Sequence, residues 1–364
     1  MNENGKQMLQ GIKVLDISNL LAGPGISTNL ADFGAQVIKV EHPKEGDPMR
    51  NWGEKKNGIS LAWKSYSRGK RLLAVDMHQS AGQEIIKKLA AQSDVMLENY
   101  RPGRLEEWGL GYDQLSAMNP KLILVRITGW GQTGPYKDRP GFGTLAEAFS
   151  GFAHITGQVD GPPTLPPFGL SDSITSLTGT YAVMMALYDR DIHNQPGQMI
   201  DLCIYESLFS ILGPQVTEYD QLGIIAKRVG NRSPRGVPRN AYKTSDGRWV
   251  ALSANAPNIA ARLFRAIGRE DMNTDPRYAT ASARLANGDE VDGIVADWIV
   301  QHPLKEVLEI LQKSEVSIGP IYDIKQFLED PHVQSRETII QMPDQDLGKI
   351  RIPNIAPRFS RSPG

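Results

Sequence analysis

The first 130 residues repeat one pattern, in which a short apolar stretch, a loop and an amphipathic stretch lead to another apolar stretch. The first copy has an apolar stretch at 12–17, a loop at 18–25, a helix closed by Gly34 and a second apolar stretch at 37–41. Strand, loop, helix and strand within about thirty residues are typical of a parallel βαβ unit. This feature restricts the fold most, because parallel strands need a crossover between them.

Further units follow along the same part of the chain. Strands are predicted at 72–75, 95–98 and 122–127, and helices at 82–91, 105–108 and 113–118. A further strand at 197–204 and a helix at 205–212 are predicted later in the chain. This alternation predicts a doubly wound, Rossmann-like α/β domain built on a parallel sheet. A chain of 364 residues is too long for one ordinary core, so we expect a second domain.

The composition changes at residues 230–239, which are basic and rich in glycine and proline. Beyond them, short strands are predicted at 240–243 and 249–252, on either side of a turn, and helices at 259–267, 288–301 and 304–313. This mixture predicts a smaller α+β domain. The expected division is a large domain over 1–215, a small domain over 226–330 and a C-terminal segment over 331–364 that returns towards the large domain.

Charge and cysteine content argue against several classes of protein. The 40 basic and 41 acidic residues give a net charge of -1, so we expect neither nucleic acid nor a membrane as partner. Cys203 is the single cysteine, which excludes an intramolecular disulfide and fits a reducing compartment. Residues 1–10 lack the apolar core of a signal peptide. We therefore expect a soluble cytoplasmic enzyme, and the histidine spacing predicts no metal site.

Residues 129–134 match the pattern G-x-G-x-x-G formally. A dinucleotide-binding fingerprint of this kind requires a helix at its end. Residues 135–141 contain two prolines and a glycine and cannot form that helix. We therefore reject a dinucleotide site at this position.

One carboxylate, Asp172, stands where a loop rich in proline and glycine gives way to a helix. Residues 182–188 of that helix are apolar all round, as expected for a helix that is buried on every side. Aspartate is favoured at a helix N-cap, so the local pattern alone predicts a structural cap at or near the helix start.

Several short motifs, taken in order, resemble the class III CoA-transferase family, which includes carnitine and formyl-CoA transferases and is also called CaiB/BaiF-like. The resemblance covers essentially the whole chain, and each motif is weak without the others. The motifs are Val14-Leu15-Asp16, Ala22-Gly23-Pro24, Asp32-Phe33-Gly34-Ala35, Glu98-Asn99-Tyr100-Arg101-Pro102-Gly103, Leu110-Gly111-Tyr112, Gly131-Gln132-Thr133-Gly134-Pro135 and Asp172.

The resemblance implies an enzyme that moves CoA from an acyl-CoA thioester to a free carboxylic acid. In the family, an aspartate at the position of Asp172 attacks the thioester, giving an aspartyl anhydride and then an aspartyl-CoA thioester. An aspartate with an ordinary pKa of about 3.9 is ionised at neutral pH and needs no general base. Acyl-CoA would be a substrate, and no tightly bound cofactor is expected.

The resemblance also implies contacts to CoA within the large domain. The loop at 19–24 would approach the thioester, and residues 99–101 would hold the adenine and phosphate end. Read without the resemblance, the loop is a tight turn and each basic residue is a solvated surface charge. The candidate CoA-binding residues are Asn19, Leu21, Ala22, His42, Lys70, Arg71, Val75, Asn99, Tyr100, Arg101, Arg104 and Lys137.

Two alternatives stay open. Racemases of the same fold pair the matching aspartate with a histidine, whereas this chain has Phe142 there, and phenylalanine cannot transfer a proton. A non-catalytic CoA-binding subunit of a hetero-oligomer is the second alternative. Some transferases place an acid where Gly143 stands, and Glu147 is the nearest acid here.

The resemblance bears on the acceptor and on assembly. Residues 230–239 take the approximate place of a glycine-rich lid found in oxalate-handling members. Arg232, Arg235 and Arg239 would suit a larger carboxylate or a dicarboxylate as substrate.

The family resemblance further implies a homodimer in which two chains thread through each other like linked rings.

Overall fold

The computed structural model describes residues 7–364, which form two compact units. The first unit contains the described residues up to Ala153, together with Leu165–Ile224 and Thr338–Gly364. The second contains His154–Thr164 and Ile225–Glu337. The chain therefore leaves the first unit and returns to it twice.

The elements are numbered in chain order. The strands are β1 (Lys13–Asp16), β2 (Gln36–Glu41), β3 (Lys55–Lys56), β4 (Ile59–Ser60), β5 (Lys70–Ala74), β6 (Val95–Glu98), β7 (Ile123–Thr128), β8 (Met199–Cys203), β9 (Arg239–Lys243), β10 (Trp249–Ser253), β11 (Ile318–Pro320), β12 (Ile339–Asp344) and β13 (Gly348–Pro353). The helices are α1 (Ala22–Asp32), α2 (Leu61–Tyr66), α3 (Ser80–Ala90), α4 (Arg104–Glu107), α5 (Tyr112–Met118), α6 (Gly143–Phe149), α7 (Phe152–Ile155), α8 (Leu170–Ile192), α9 (Ile204–Phe209), α10 (Gln215–Leu222), α11 (Pro257–Ala266), α12 (Ala281–Ala286), α13 (Gly288–Ile299), α14 (Leu304–Lys313), α15 (Ile324–Glu329) and α16 (Pro331–Ser335).

Six parallel strands form the central sheet of the first unit, in the order β5-β2-β1-β6-β7-β8. Counted along the chain, this is the order 3-2-1-4-5-6 of a doubly wound fold, and the direction of winding reverses between β1 and β6. The predicted parallel α/β sheet is confirmed. Ligands of such sheets bind beyond the carboxyl ends of the strands at the reversal.

The two faces of the sheet bury separate cores because successive side chains of a strand point to opposite sides. Val14 and Val125 belong to the core on the face that packs against α1 and α8. Leu15 and Leu124 belong to a second core together with Ile86 of α3. Both faces are therefore covered by helices, as expected for a parallel sheet.

The first strand-to-helix turn is shorter than predicted. Residues 22–25 were expected to be loop because of their glycines and proline, but α1 begins at Ala22. Pro24 lies in the first turn, where its missing N–H has no partner to lose. A Cβ on Gly23 would lie 2.5 Å from the Ser18 Cβ, so this position requires glycine for the loop to pack on the helix.

The expectation that the helix through 182–188 is buried on every side is wrong. One side of α8, with Val183, Ala186 and Leu187, is buried in the core of the first unit. The opposite side is exposed and carries a stripe of large apolar residues. This exposed α8 stripe consists of Leu177, Tyr181, Met184, Met185, Tyr188 and Ile192.

The second unit contains a three-stranded antiparallel sheet in the order β11-β10-β9. The predicted strands at 240–243 and 249–252 correspond to β9 and β10. Helices α11, α13 and α14 contribute Phe264, Val295 and Val307 to the core of this unit. Within residues 7–364, no helix is long and apolar enough to cross a membrane.

Candidate active site

A cavity of about 90 Å³ lies at the carboxyl ends of β1, β6, β7 and β8, beside the point where the winding reverses. The volume is well below the ~300 Å³ of a pocket that encloses a drug-sized ligand, so a larger ligand would place only part of itself in the cavity. Its lining residues come from four strand ends, from the loop before α6 and from the first turn of α8. They are Asn19, Leu20, Leu21, Ala22, Asn99, Tyr100, Arg101, Pro102, Ile127, Thr128, Gly129, Trp130, Lys137, Arg139, Gly141, Phe142, Asp172 and Ile204.

Asn19 and Asn99 join the two loops that flank the reversal. The Asn19 N–H donates to Asn99 Oδ1 at 2.9 Å, and Asn99 Nδ2 donates to the Asn19 carbonyl at 2.8 Å. The Asn99 side chain is therefore hydrogen-bonded to both the N–H and the carbonyl of Asn19. The two predicted segments, 19–24 and 99–101, are held together at one edge of the cavity.

Leu20, in the same loop, has a φ of 65°, in the left-handed region that a leucine adopts at a cost of about 1–3 kcal/mol. Its N–H donates to Asp47 Oδ1 at 3.2 Å. Asp47 Oδ2 lies 3.0 Å from the Lys39 ammonium, which also donates to the Ser18 carbonyl. Both ionic side chains are buried, so a fixed ion pair holds the strained loop.

Lys70 does not face the cavity, which corrects its prediction as a phosphate ligand. Its ammonium donates to the Pro24 carbonyl at 2.7 Å and lies 3.5 Å from Asp16 Oδ2. The side chain is fully buried, and burial lowers the pKa of Lys70 to about 8, against the opposing effect of Asp16. Lys70 therefore stabilises the turn between β1 and α1 from inside.

Asp172 is the third residue of α8 and lines the cavity rather than capping the helix. The N-cap position belongs to Gly169, which has no side chain to offer. Among the described residues, no hydrogen-bond donor or cation pairs with the Asp172 carboxylate. Gly143 makes this placement possible, since a Cβ there would lie 2.3 Å from Asp172 Oδ2.

The electrostatic surroundings raise the pKa of Asp172 to about 6. Burial is the larger cause, and the negative charge of Glu147 is the second. Glu147 projects from α6 and is 3% exposed. A carboxylate with this pKa is still mostly ionised at pH 7, and it is more basic than an exposed aspartate.

Three cations line the cavity with Asp172. Arg101, Lys137 and Arg139 are exposed, and within residues 7–364 none of them has an ion-pair partner. The Arg139 guanidinium lies over the ring of Tyr136, 3.6 Å from its centroid. These groups give the cavity rim a positive charge that suits an anionic ligand.

The remaining predicted CoA-binding residues lie away from the cavity lining. Arg71 is exposed on β5, the edge strand of the sheet, and the Val75 side chain is buried in a core. Arg104 begins α4 and pairs with Glu107 at 2.7 Å. Seven of the twelve candidates line the cavity with Asp172: Asn19, Leu21, Ala22, Asn99, Tyr100, Arg101 and Lys137.

His42 lies in a small polar group that the sequence spacing did not reveal. Its Nε2 is 3.9 Å from Asp76 Oδ1, and His78 Nδ1 is 3.1 Å from the same oxygen. One ligand-type atom from each of these residues lies within 4.8 Å of the others. The three residues are distant in sequence from one another except for Asp76 and His78, so only the fold brings them together.

The arginines at 230–239 do not form the free basic lid that was expected. Arg232 is paired with Asp292 at 2.6 Å and also contacts Asp289. Arg239 donates to the carbonyls of Asn231 and Arg232 at 2.9 and 3.0 Å. Their donors stabilise the second unit, so the argument for a dicarboxylate from this segment does not hold.

Sequence reasoning missed Arg139 and Trp130 as cavity residues. Both lie in the stretch that was set aside when the G-x-G-x-x-G pattern was rejected. The indole Nε1 of Trp130 donates to the Pro140 carbonyl at 3.0 Å, which fixes the loop before α6. Phe142 lines the cavity and is 64% exposed. The sequence did contain a signal for these cavity residues, because Lys137 and Arg139 are two nearby cations in a loop bounded by prolines.

The fold and the site together define a doubly wound α/β protein with a cationic cavity rim at the winding reversal and a partly buried carboxylate that has no counter-ion within residues 7–364. Comparison with known proteins gives the family. The sequence model of CoA-transferase family III matches residues 9–364. The chain belongs to this family, and it is a CoA-transferase, as the sequence analysis predicted.

Two curated relatives come from Chloroflexus aurantiacus. A succinyl-CoA--D-citramalate CoA-transferase is 42% identical over 357 residues, which are 98% of this chain and 89% of the relative. The beta subunit of a succinyl-CoA--L-malate CoA-transferase is 40% identical over 360 residues, with the same two coverages. A crystal structure of a CaiB/BaiF family protein from Brucella suis has a TM-score of 0.85 and 31% identity, covering 98% of this chain and 94% of that one.

Proposed function

We propose that this CoA-transferase works through covalent intermediates on Asp172. A carboxylate oxygen of Asp172 attacks the thioester carbonyl, the C–S bond breaks, and CoA leaves as the thiolate. The thiolate attacks the Asp172 carbonyl of the resulting anhydride, which releases the donor acid and leaves an aspartyl-CoA thioester. The acceptor carboxylate then attacks the aspartyl-CoA carbonyl, which expels the thiolate and forms a second anhydride. The thiolate attacks the acceptor's carbonyl in this anhydride, which gives the new acyl-CoA and restores the Asp172 carboxylate.

The observation that carries this proposal is the Asp172 carboxylate at the cavity, which has no hydrogen-bond donor or cation as partner in the described part of the chain. A nucleophile that was neutralised by a hydrogen-bonded cation would have to break that pair before it could react. With a pKa raised to about 6, Asp172 combines ionisation at neutral pH with increased basicity. Phe142 at the cavity rim cannot carry a proton, which disfavours chemistry at the α-carbon.

The binding of CoA is assigned to the cavity residues on the same basis. The loop residues Asn19, Leu21 and Ala22 would lie along the thioester, and Asn99 would fix that loop. The rim cations Arg101, Lys137 and Arg139 would contact phosphate or carboxylate groups. CoA enters as part of a substrate, and no tightly bound cofactor is needed for the steps above.

For the acids, we propose a dicarboxylate class of substrate with succinyl-CoA as donor. The names of both relatives, D-citramalate and L-malate transferases that use succinyl-CoA, support this choice. A second carboxylate on the substrate would also be attracted to the cations on the rim of the cavity.

The assembly and the compartment belong to the same proposal. A homodimer is supported by the exposed α8 stripe, a row of six large apolar side chains on one side of the helix, and the interlocked arrangement is what the family resemblance implies. A cytoplasmic, reducing location is supported by the single cysteine, Cys203.

The proposed domains remain a CoA-binding domain at 1–215, a small domain at 226–330 and a returning segment at 331–364.

The decisive experiment traps the covalent intermediate. The protein is incubated with succinyl-CoA, treated with hydroxylamine, digested and analysed by mass spectrometry. We expect a hydroxamate on the peptide that contains Asp172, and no hydroxamate in the Asp172→Asn variant. Acetyl-CoA serves as the comparison donor, and D-citramalate and L-malate are compared with acetate as acceptors.

A full turnover of succinyl-CoA without any hydroxamate on this peptide would contradict the covalent mechanism. Equal rates with acetate and with the dicarboxylates would contradict the proposed substrate class. Trapping by this chain alone would also exclude a purely non-catalytic subunit. That alternative is worth testing because one relative is itself named as a beta subunit.

A further inference from the structure

Glu147 is a buried carboxylate that no part of the proposed reaction uses. It lies on α6 and is 3% exposed. Its Oε1 accepts hydrogen bonds from the backbone N–H and from the hydroxyl of Ser171, both at 3.2 Å. Ser171 directly precedes Asp172 in the first turn of α8.

These bonds replace the missing cap of α8. The first N–H groups of a helix have no partner within the helix, and a side chain at the N-cap usually accepts one of them. Gly169 occupies the N-cap of α8 and cannot do so. Glu147 accepts the Ser171 N–H from a separate helix, so it fixes the turn that carries Asp172.

Glu147 also differs in charge from the other groups around Asp172. The titratable groups that line the cavity are Tyr100, Arg101, Lys137 and Arg139. Three of these are cations, and burial raises the pKa of Tyr100 to about 12, so it is neutral. Apart from Asp172 itself, the cavity lining among residues 7–364 contains no acid, and Glu147 supplies the adjacent negative charge.

We propose that Glu147 is a positioning residue for the nucleophile: it caps the first turn of α8 through Ser171 and holds a buried carboxylate beside the turn that carries Asp172. The proposal rests on the assignment of Asp172 as the nucleophile. A nearby negative charge disfavours ionisation, so the ionised form that remains is the stronger base. Glu147 thus makes the ionised Asp172 a stronger nucleophile, but it also raises the pH that is needed to ionise Asp172.

The two roles can be separated by a conservative substitution. In Glu147→Gln the amide oxygen can still accept from Ser171, so the cap is kept while the charge is removed. Glu147→Ala removes both. A residue with a merely structural role would affect stability in the alanine variant, but it would leave the pH profile of the glutamine variant unchanged.

The test compares the pH dependence of kcat/KM with succinyl-CoA for the wild type, Glu147→Gln and a control. For Glu147→Gln we expect the acid limb to move to lower pH by about half a unit or more, because the charge of Glu147 is one of the two causes that raise the pKa of Asp172 and the variant removes it. We also expect a lower plateau of kcat above pH 7. The same substrate is used throughout, so its own titration cancels in the comparison.

Glu84→Gln, which makes the same change of charge on the exposed surface of α3, is the matched control and should leave the limb in place. An unmoved acid limb in a folded Glu147→Gln variant would overturn the inference. Hydroxylamine trapping on Asp172 is measured in the same preparations. If trapping succeeds while the limb stays, the positioning role fails and the covalent mechanism stands; if trapping fails in the wild type, the mechanism itself fails.

Discussion

Asp172 is a residue whose surroundings favour reactivity over stability. Its carboxylate is partly buried, has no counter-ion among the described residues and lies near a second carboxylate. Ionising such a group costs free energy in the folded chain, whereas the unfolded chain ionises it freely in water. Active-site residues commonly carry this kind of cost.

Replacing Asp172 by asparagine should change the stability of the protein in a way that depends on pH. The pKa of Asp172 in the folded chain, about 6, lies above the ordinary aspartate value of about 3.9, so its stabilising contribution is complete below that ordinary value and is lost as the pH rises through 6. The neutral variant escapes this loss. We expect it to be more stable than the wild type by roughly 1–3 kcal/mol at pH 8 and to show no such gain near pH 4.

Urea unfolding at the two pH values measures this difference. A gain of equal size at pH 4 and pH 8 would contradict the electrostatic explanation and would point to packing instead. Activity should be lost at both values, because asparagine is not a nucleophile of comparable strength.

The loop between β1 and α1 depends on a buried ion pair. Lys39 and Asp47 are both fully or almost fully buried, and Asp47 Oδ1 accepts the N–H groups of Leu20 and Met49. The sequence shows these residues as ordinary charges in and after β2. The ion pair connects β2 to the cavity wall, since Leu20 is a lining residue.

We therefore predict that Lys39→Met destabilises the protein by about 3–5 kcal/mol, because it leaves the Asp47 carboxylate buried without a counter-ion. The double variant Lys39→Met with Asp47→Asn removes both charges and keeps the acceptor oxygen for Leu20. It should recover a large part of the loss. Urea unfolding of the two single variants and the double variant forms a double-mutant cycle, and additive effects would show that the pair does not interact.

The exposed α8 stripe matters for the whole molecule. Met185 is 65% exposed and Tyr188 is 60% exposed, on the side of α8 that the first unit does not cover. A contiguous apolar surface of this kind usually marks a contact with another protein surface. The proposed homodimer supplies that contact by a second copy of the chain.

We predict that Met185→Asp weakens the dimer, because a buried carboxylate without a partner is costly in an interface. Light scattering after size-exclusion chromatography should show a smaller mass that depends on protein concentration. Met118→Asp, at a methionine that is 51% exposed on α5, is the matched control and should keep the wild-type mass. An unchanged mass for Met185→Asp would remove the stripe from the interface.

The sequence by itself determined the alternation of strands and helices and hence the doubly wound sheet. Apolar periodicity and turn residues act within short stretches, so they can be read locally. The ordered motifs also identified the family and directed attention to Asp172. The family resemblance assigned the loop at 19–24 and residues 99–101 to CoA, but the hydrogen bonds between Asn19 and Asn99 are known only from the structure.

Only the tertiary structure decided which polar side chains are buried and which are free. Lys70 and Arg101 are both plausible phosphate ligands in the sequence, yet Lys70 is enclosed beside Asp16 and Arg101 lies on the cavity rim. The exposed side of α8 and the position of Glu147 beside Ser171 were likewise decided only by the tertiary structure. Burial and charge pairing depend on residues far apart in the chain, and these are brought together by packing that no local pattern encodes.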